Sequence, residues 1–314
     1  MKIIITGALG HIGSKLIRKL PMTFPNMELV LIDNLSTYRY CSLFNLPKSF
    51  HYNFIEGDIL KNDLTHLFEN ADVVIHLAAI TDAVGSFNNK DQVEHVNFIG
   101  TEKVALACEK TGVSMIHISS TSIYGSPKET VDEFCSQDDI NPQSPYAATK
   151  LKEEILLRKM YEENKIKHII CRFGTICGTS PGMRFHTAVN KFCWQATLKQ
   201  PLTVWSTALD QKRPYLDLDD AIRAIAFIIQ NNLFDGEIYN ILTENMTVRE
   251  IVGLIEKNLE RNIRINYVDS AIMNKLSYEV LTKKIINQGF KFKGSIEKSI
   301  KETLLLLKKS NCSI

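Results

Sequence analysis

The sequence lacks the marks of several large protein classes. Its seven cysteines are odd in number and form no C-x-x-C pair, which argues against a disulfide scaffold or a zinc ribbon and favours a reducing compartment. No stretch approaches the roughly 18 apolar residues that a membrane-spanning helix needs. The apolar run at the N-terminus is broken by glycines too early for a signal peptide. These absences predict a cytoplasmic globular protein with no membrane segment.

Charge of one sign is also scarce. The 37 Lys and Arg residues against 35 Asp and Glu residues leave a formal net charge of +2, and neither sign forms a long run. Such a balance argues against a protein that nucleic acid or a membrane surface holds by bulk electrostatics. The chain shows no internal repeat and no low-complexity segment. With 45% hydrophobic residues among 314, it can bury a core.

Short apolar runs alternate with helical patterns through the first half of the chain. The runs are rich in Ile and Val without polar alternation, as expected for parallel strands that are covered on both faces. The predicted strands are 2–6, 29–33, 53–56, 73–77, 115–119 and 168–172. The predicted helices are 11–20, 61–69, 92–111 and 146–164. This order predicts an α/β fold with a doubly wound parallel sheet.

After about Gly174 the pattern changes, and glycine, proline and aromatic residues follow in irregular order. Helices are predicted at 186–198, 219–231, 247–259 and 297–308. A capping box of Thr247 and Glu250 opens the third of them. A later strand at 237–241 is expected to complete the sheet of the first half. We therefore predict a first domain at 1–173 and a smaller, mixed lobe at 174–314.

Three glycines follow the first predicted strand directly and open the first helix. Gly7, Gly10 and Gly13 stand where the nucleotide-binding turn of a Rossmann fold needs a tight bend, a close approach to a pyrophosphate, and close packing of helix on strand. The phosphates would meet free N–H groups at the start of the helix, here those of His11 and Ile12. Three spaced glycines are a weak pattern by themselves, but this position favours a dinucleotide site.

The second predicted strand ends in Asp33, 20 residues after Gly13. A carboxylate here can accept hydrogen bonds from adenosine ribose hydroxyls and would repel a 2′-phosphate, which favours NAD over NADP. Arg39 is the nearby cation that could reverse this preference. Asp58, after the third strand, is a candidate to touch adenine, although an ordinary loop Asp gives the same pattern.

The spacing Tyr-x-x-x-Lys aligns two side chains on one helical face, and it occurs three times in this chain. One copy spans Gly and Pro, and another lies at a fraying helix end. The third, Tyr146 and Lys150, stands in the first turn of a regular helix.

The fifth strand ends in hydroxyl residues 119–122, at the strand end where open α/β sheets bind ligands. A Lys cation lowers the pKa of a neighbouring Tyr, so the phenolate can act as a base. The alternative is a strand-end serine cluster beside an ordinary exposed helix.

Motifs along nearly the whole chain resemble those of the extended short-chain dehydrogenase/reductases, the NAD-dependent nucleotide-sugar epimerases and dehydratases. The matching segments are TGALGHIG (6–13), IDNLS (32–36), GDI (57–59), HLAA (76–79), VNFIGT (96–101), SSTSIYG (119–125), SPYAATK (144–150), RFGTICG (172–178), KRPYLDLDDA (212–221) and EIYNI (237–241). The resemblance implies that Ser120, Tyr146 and Lys150 are catalytic and that Asn97 steadies the site. It also implies a homodimer joined by segments 92–111 and 146–164, with apolar residues that include Val104, Leu106, Ile155 and Leu156.

Pattern and resemblance together predict two sets of contacts, and no metal. The cofactor contacts are Gly7, Gly10, His11, Ile12, Gly13, Asp33, Asn34, Asp58, Ile59, Leu77, Ala78, Ala79, Asn97, Ser119, Tyr146 and Lys150. The substrate contacts are Thr81, Ser120, Thr121, Thr175, Arg184, Asn190 and Arg213. Arg213 is the preferred diphosphate ligand, because a guanidinium can grip phosphate bidentately. His186 is the one extra acid–base candidate; His186, His76, Trp194 and Trp205 are expected to be structural and stay outside the catalytic set.

The resemblance implies transient oxidation of a nucleotide-linked sugar at C4. Dehydratases of the family carry Asp-Glu after the catalytic hydroxyl, and sugar-acid decarboxylases carry a Glu nearby, whereas this chain has Thr121 and Ser122. Thr175 replaces an Asn that usually touches the diphosphate. The first hypothesis is an NAD-dependent nucleotide-sugar 4-epimerase, with a UDP-hexose as substrate. The alternatives are a 4-dehydrogenase or ketoreductase, another epimerase of envelope polysaccharide synthesis, and a non-catalytic NAD-binding member of the family.

Overall fold

The computed structural model describes residues 1–125, 128–269 and 277–308. In chain order its strands are β1 (Lys2–Thr6), β2 (Glu28–Asp33), β3 (Tyr52–Glu56), β4 (Val73–His76), β5 (Ser114–Ser120), β6 (Thr130–Val131), β7 (His168–Phe173), β8 (Thr175–Cys177), β9 (Leu202–Trp205), β10 (Lys212–Asp217), β11 (Ile238–Ile241), β12 (Glu244–Thr247), β13 (Ile265–Val268) and β14 (Glu279–Val280). Its α-helices are α1 (His11–Thr23), α2 (Leu64–Phe68), α3 (Lys90–Glu94), α4 (Gly100–Thr111), α5 (Pro145–Glu162), α6 (Ala188–Thr197), α7 (Leu218–Gln230), α8 (Val248–Leu259), α9 (Lys283–Asn287) and α10 (Ile296–Lys308). No helix within these described ranges is both long and apolar enough to cross a bilayer.

Within the described residues, the main sheet has seven parallel strands in the order β11-β7-β5-β4-β1-β2-β3. Its strands are apolar on both sides, so both faces are buried. In β1, for example, Ile3 and Ile5 pack against α1 and α7, while Ile4 packs toward α2, α4 and α5. The structure therefore confirms the predicted α/β class with a doubly wound parallel sheet.

The later part of the chain builds a smaller lobe of mixed sheets. In it β10 pairs in parallel with β8 and in antiparallel with β12, and β9 pairs with β13. Helices α6, α8 and α10 pack over these strands around a third apolar cluster. The capping box of Thr247 and Glu250 is present at the start of α8, with Thr247 as the N-cap residue.

The long helix predicted at 92–111 is divided into three pieces. A π-helical turn, His95–Ile99, separates α3 from α4. Within this turn the Asn97 side chain accepts a hydrogen bond of 2.7 Å from the Ile80 N–H and donates one of 2.9 Å to the Ile80 carbonyl. An extra residue in a helical turn is frequent at functional sites, where it redirects a side chain. Here the turn presents Asn97 to the loop that follows β4.

The two lobes meet at the first turn of α1. His11 Nε2 lies 2.8 Å from the Gly178 carbonyl, the Ser180 hydroxyl donates to the His11 carbonyl over 2.9 Å, and the Gly182 N–H donates to Ser14 Oγ over 2.9 Å. A Cβ on Gly182 would stand 2.3 Å from the Leu9 carbonyl oxygen. The loop after β8 therefore packs directly against the glycine turn.

Candidate active site

The glycine turn between β1 and α1 is closely packed. Gly7 has φ +66°, and a Cβ there would lie 2.6 Å from the backbone nitrogen of Ala78. A Cβ on Gly13 would lie 2.4 Å from the Ala8 carbonyl oxygen. Glycine is needed at both positions, at Gly7 for the left-handed conformation and at Gly13 for close packing. The turn and the loop after β4 consequently lie against each other at the carboxyl end of the sheet.

The start of α1 fits a dinucleotide pyrophosphate. The first N–H groups of a helix have no intrahelical partner, and here the N-cap residue, Gly10, has no side chain that could cap them. These groups and the helix dipole favour an anion. The contribution of His11 is confined to its backbone, because its buried ring contacts Gly178 and burial lowers its pKa to about 3.

Asp33 stands at the end of β2 beside this turn. Its Oδ2 accepts a hydrogen bond of 3.0 Å from the Leu9 N–H, and its Oδ1 accepts one of 2.9 Å from the Leu35 N–H. The carboxylate is thereby fixed beside the glycine turn, and it keeps lone pairs that can accept further hydrogen bonds. Burial lowers the pKa of Arg39, and Asp33 counteracts this, so the two side chains interact. The donors and acceptors of this end of the sheet fit NAD.

The remaining predicted cofactor contacts lie mainly in the loops after β2, β3 and β4. Leu77, Ala78 and Ala79, together with the predicted substrate contact Thr81, form the half-buried loop after β4, while Asn34 is exposed after β2. Asp58 Oδ1 accepts from the Leu60 N–H over 2.9 Å, which shapes the loop after β3. Ile59 is buried beneath Gly100 of α4. A Cβ on Gly100 would approach the Ile59 Cδ1 atom to 2.6 Å, so helix and loop are tightly packed there.

Ser120, Tyr146 and Lys150 lie together where β5 ends and α5 begins. The Ser144 hydroxyl caps α5, and Pro145 occupies its first turn, so the helix has a defined start immediately before Tyr146. The side chains of Tyr146 and Ser120 lie close enough together to interact. Burial raises the pKa of Tyr146, while the charges of Lys150 and Arg184 and the interaction with Ser120 act in the opposite direction. The arrangement can hold a hydroxyl substrate and remove its proton.

Lys150 is buried, and its Nζ donates a hydrogen bond of 2.8 Å to Glu153 Oε2. Burial disfavours the ammonium, but the interactions with Glu153 and Tyr146 outweigh it and raise the pKa of Lys150 above its ordinary value. The lysine is therefore a cation at neutral pH. Its charge stands on the same helical face as Tyr146, one turn away.

Several of the predicted contact residues use their side chains in hydrogen bonds within the protein. The Ser119 hydroxyl donates to Glu154 over 2.5 Å, on the face of β5 opposite to Ser120. The Thr121 hydroxyl donates to the Phe173 carbonyl over 3.2 Å. Asn190 is fully buried, and its amide donates to the Arg184 carbonyl over 2.9 Å. The geometry gives Asn190 the role of positioning the Arg184 loop.

The other predicted substrate residues belong to the later part of the chain. Arg184 is close enough to Tyr146 for their charges to interact, and its buried Nε has no hydrogen-bond partner among the described residues. Thr175 is half-buried in β8. Arg213 Nη2 donates to Gln211 over 2.7 Å, and its guanidinium lies 5.5 Å from the centre of the Tyr278 ring. His186 is exposed, and His76 is buried in the core.

Two residues of this site were missed by the sequence analysis. The Ser122 hydroxyl donates to Ser120 Oγ over 2.9 Å, and Glu153 is the carboxylate that holds Lys150. Ser122 belongs to the hydroxyl cluster at the end of β5, and Glu153 follows Lys150 by three residues on one helical face. Both spacings were legible in the sequence. The described residues contain no cluster of three or more side chains that could hold a metal ion.

Comparison with known proteins places these features in a family. The sequence model of the NAD dependent epimerase/dehydratase family matches residues 3–241. The dTDP-D-glucose 4,6-dehydratase of Mus musculus is 30% identical over 319 residues, which cover 96% of this chain and 87% of that protein. A trifunctional UDP-glucose 4,6-dehydratase/UDP-4-keto-6-deoxy-D-glucose 3,5-epimerase/UDP-4-keto-L-rhamnose-reductase of Arabidopsis thaliana is 29% identical over 96% of this chain, which spans about half, 46%, of that protein.

Solved structures agree with the family match. The UDP-glucuronic acid 4-epimerase of Bacillus cereus in complex with UDP-glucuronic acid and NAD is 27% identical, with a TM-score of 0.87, over 99% of this chain and 100% of that chain. The matched residues 3–241 take in the glycine turn, Asp33 and the Ser120–Tyr146–Lys150 set. The chain is therefore a member of the NAD dependent epimerase/dehydratase family, and its cofactor is NAD.

Proposed function

We propose that this enzyme is a nucleotide-sugar 4-epimerase that works through a transient 4-keto sugar. The neighbouring side chains of Ser120 and Tyr146, with the Lys150 cation one helical turn away, carry this proposal. The set can take a proton from a sugar hydroxyl and later return it to the oxygen on the same carbon. The solved 4-epimerase of Bacillus cereus, which shares the fold over the whole chain, supports it.

Each residue of the set has a separate task. Ser120 holds the 4-hydroxyl of the sugar, and Tyr146 takes its proton. Lys150 stabilises the phenolate that Tyr146 must form, because a nearby cation favours the charged form of a phenol. When bound, NAD would accept the hydride from C4 and return it to the keto sugar. After the keto sugar has rotated to present its other face, Tyr146 gives the proton back to the oxygen at C4.

Dehydration is the competing reaction, since dehydratases are among the relatives. Elimination of water across C5 and C6 needs a further acid and a further base next to the sugar. The two residues after Ser120 are Thr121 and Ser122, and their hydroxyls donate to the Phe173 carbonyl and to Ser120. Neither is a carboxylate. This local chemistry favours epimerisation.

The position of Arg184 favours an acidic sugar. Arg184 interacts electrostatically with Tyr146, which supports placing its guanidinium near the sugar rather than at the diphosphate. A guanidinium there is well placed to pair with a carboxylate next to C4, as in a UDP-hexuronic acid. We therefore refine the substrate from a UDP-hexose to a UDP-hexuronic acid, with Arg213 left for the diphosphate.

Product mass distinguishes the candidate reactions. Purified enzyme with NAD should convert UDP-glucuronic acid to a product of the same mass, and NMR of that product should show inversion at C4. With UDP-glucose, which keeps the C6 hydroxyl that a 4,6-dehydratase removes, a product lighter by one water would identify a dehydratase. Net formation of NADH, seen as absorbance growing with turnover, would identify a dehydrogenase. Either result would overturn the proposal.

We further propose a cytoplasmic homodimer, with domains at 1–173 and 174–314. The described cysteines are free thiols, as in a reducing compartment. Ile155 on α5 and Leu106 on α4 expose 62% and 43% of their surface, which supports a dimer built on these helices. Val104, in contrast, is fully buried in the core of its own subunit, so it cannot contribute to that interface. Light scattering that gives a monomer at micromolar concentration would exclude the dimer.

A further inference from the structure

A carboxylate lies buried behind the catalytic lysine. The side chain of Glu153 is fully inaccessible to solvent; its Oε2 lies 2.8 Å from Lys150 Nζ and 3.0 Å from His117 Nε2. Its Oε1 has no hydrogen-bond partner among the described residues. A buried, charged and incompletely bonded carboxylate is costly to maintain, so its position next to Lys150 calls for a reason.

The groups around this pair come from four elements. On α5 itself they are Tyr146 and Glu154, on β5 His117, on β4 His76, and on β7 Arg172 and His168. Arg172 is committed to Glu154, with nitrogen–oxygen distances of 3.0 and 2.7 Å. Burial lowers the pKa values of His76, His117 and His168, so all three are neutral near pH 7.

Of these histidines, His117 lies next to Glu153, with its Nε2 3.0 Å from Oε2, and His76 stacks against His117. The ring centres of His117 and His76 lie 5.9 Å apart. His76 is fixed by Thr6 and Thr101, with ring nitrogen to hydroxyl distances of 2.7 and 3.1 Å. Because these rings carry no charge and Arg172 is paired elsewhere, the cation that balances Glu153 within the described residues is Lys150.

We propose that Glu153 is a positioning residue that acts through Lys150: it is the counter-ion that keeps this buried amine protonated and directed at the active site. The catalytic consequence rests on the function proposed above, whereas the charge state of Lys150 does not. A buried lysine without a partner loses its proton readily, by a shift of up to several pKa units. Glu153 and Lys150 stabilise each other's charged forms, and Lys150 holds the pKa of Glu153 at about 2 although burial opposes it.

Glu153→Gln tests the proposal through NAD affinity as a function of pH. If the Lys150 ammonium contacts the bound dinucleotide, wild-type affinity should be constant from pH 6 to 9. In the variant the dissociation constant should rise with pH, by up to about tenfold per pH unit above the lowered pKa. It should level off at the value of Lys150→Met. Repeating the pair in a Tyr146→Phe background removes the titration of the tyrosine. Glu153→Asp, which restores the charge, should restore the wild-type profile.

Glu154→Gln is the matched control. It removes an adjacent buried carboxylate on the same helix, but that carboxylate is paired with Arg172. It should lower the melting temperature and leave the pH profile of NAD affinity unchanged.

Thermal unfolding without any ligand gives an independent readout. In Glu153→Gln the pKa of Lys150 should fall below its unfolded value, so folding releases a proton and stability rises with pH. The melting temperature of Glu153→Gln relative to Glu154→Gln should therefore increase from pH 7 to 10. Parallel melting curves together with wild-type pH dependence of NAD binding would overturn the proposal. An inactive enzyme that shows both shifts would overturn the proposed function and leave this inference intact.

Discussion

The hydroxyl of Ser122 donates a 2.9 Å hydrogen bond to Oγ of Ser120, and the Ser122 N–H adds a second of 3.2 Å. Ser120 in turn lies next to Tyr146 and interacts with it. Ser122 is therefore the nearest hydroxyl that can replace that of Ser120, because Thr121 is committed to the Phe173 carbonyl.

Ser120→Ala should lower kcat by about tenfold, the value of one hydrogen bond in the transition state. Ser120→Ala/Ser122→Ala should lose about a further tenfold, because the replacement hydroxyl is gone as well. Ser120→Ala/Thr121→Ala serves as the control and should match Ser120→Ala. Steady-state kinetics with the UDP-sugar substrate measures all three. Equal rates for Ser120→Ala and the Ser122 double variant would contradict the role of Ser122 as the replacement hydroxyl.

Tyr146→Phe should keep the fold and NAD binding but lower kcat by about 10²–10⁴-fold, as expected for loss of a general acid–base group. Tyr161→Phe is the matched control, since Tyr161 and Lys165 have the same spacing at the far end of α5. It should leave kcat unchanged. Full activity in Tyr146→Phe would end the catalytic assignment.

The pH profile should report the influence of Lys150 on Tyr146. Lys150 lowers the pKa of Tyr146 against the effect of burial, and the reaction needs the phenolate. In Lys150→Met that pKa rises, so the acid limb of kcat/KM should move to higher pH. The profile of the residual activity, measured between pH 5 and 10, checks the direction. A limb that stays in place or moves to lower pH contradicts the electrostatic role.

Cofactor choice should depend on Asp33. Asp33→Ser removes the charge that repels a 2′-phosphate and releases Arg39 from its interaction with that carboxylate. The ratio of NADP to NAD affinity should increase by about tenfold or more, the equivalent of one charge-assisted hydrogen bond. Asp33→Ser/Arg39→Ser should lose this gain. Calorimetric titration of both dinucleotides measures the ratio, and an unchanged ratio would show that Asp33 does not set it.

The Arg184→Gln variant should show whether Arg184 contacts the sugar carboxylate or the diphosphate of the substrate. If Arg184 pairs with the sugar carboxylate, kcat/KM for UDP-glucuronic acid should fall by about 10²-fold while that for UDP-glucose changes little. Asn190→Ala, which loosens the Arg184 loop through the 2.9 Å bond to its carbonyl, should produce a weaker form of the same preference. Equal losses for the two substrates would assign Arg184 to the diphosphate instead.

The parts of the site that could be predicted from sequence are those with a fixed local register. Gly7 and Gly13 stand between a strand and a helix, and Asp33 ends the next strand, so their relative places follow from the order of elements. Tyr146 and Lys150 are one helical turn apart on α5. In each case the partner residues are close in the chain or are brought together by the parallel sheet itself.

Contacts between segments that lie far apart in the sequence could not be predicted from such local patterns. Asn97 leaves the regular helix because of the Ile80 backbone, 17 residues away, and His11 turns to Gly178, 167 residues away. Val104 was expected at a dimer interface, but an apolar residue on a long helix does not itself reveal which of two faces meets the core. Such contacts depend on how the lobes pack, and periodicity contains no information about that.

The late position of β11 in the sequence has a consequence for folding during synthesis. β11 follows the first elements of the smaller lobe, yet it borders β7 at the rim of the main sheet. During synthesis, β7 therefore emerges from the ribosome with a bare edge until Ile241 has followed. A fragment that stops near Gly174 would keep that edge permanently and would be prone to aggregate. The nucleotide-binding half is early in the sequence but late to be completed.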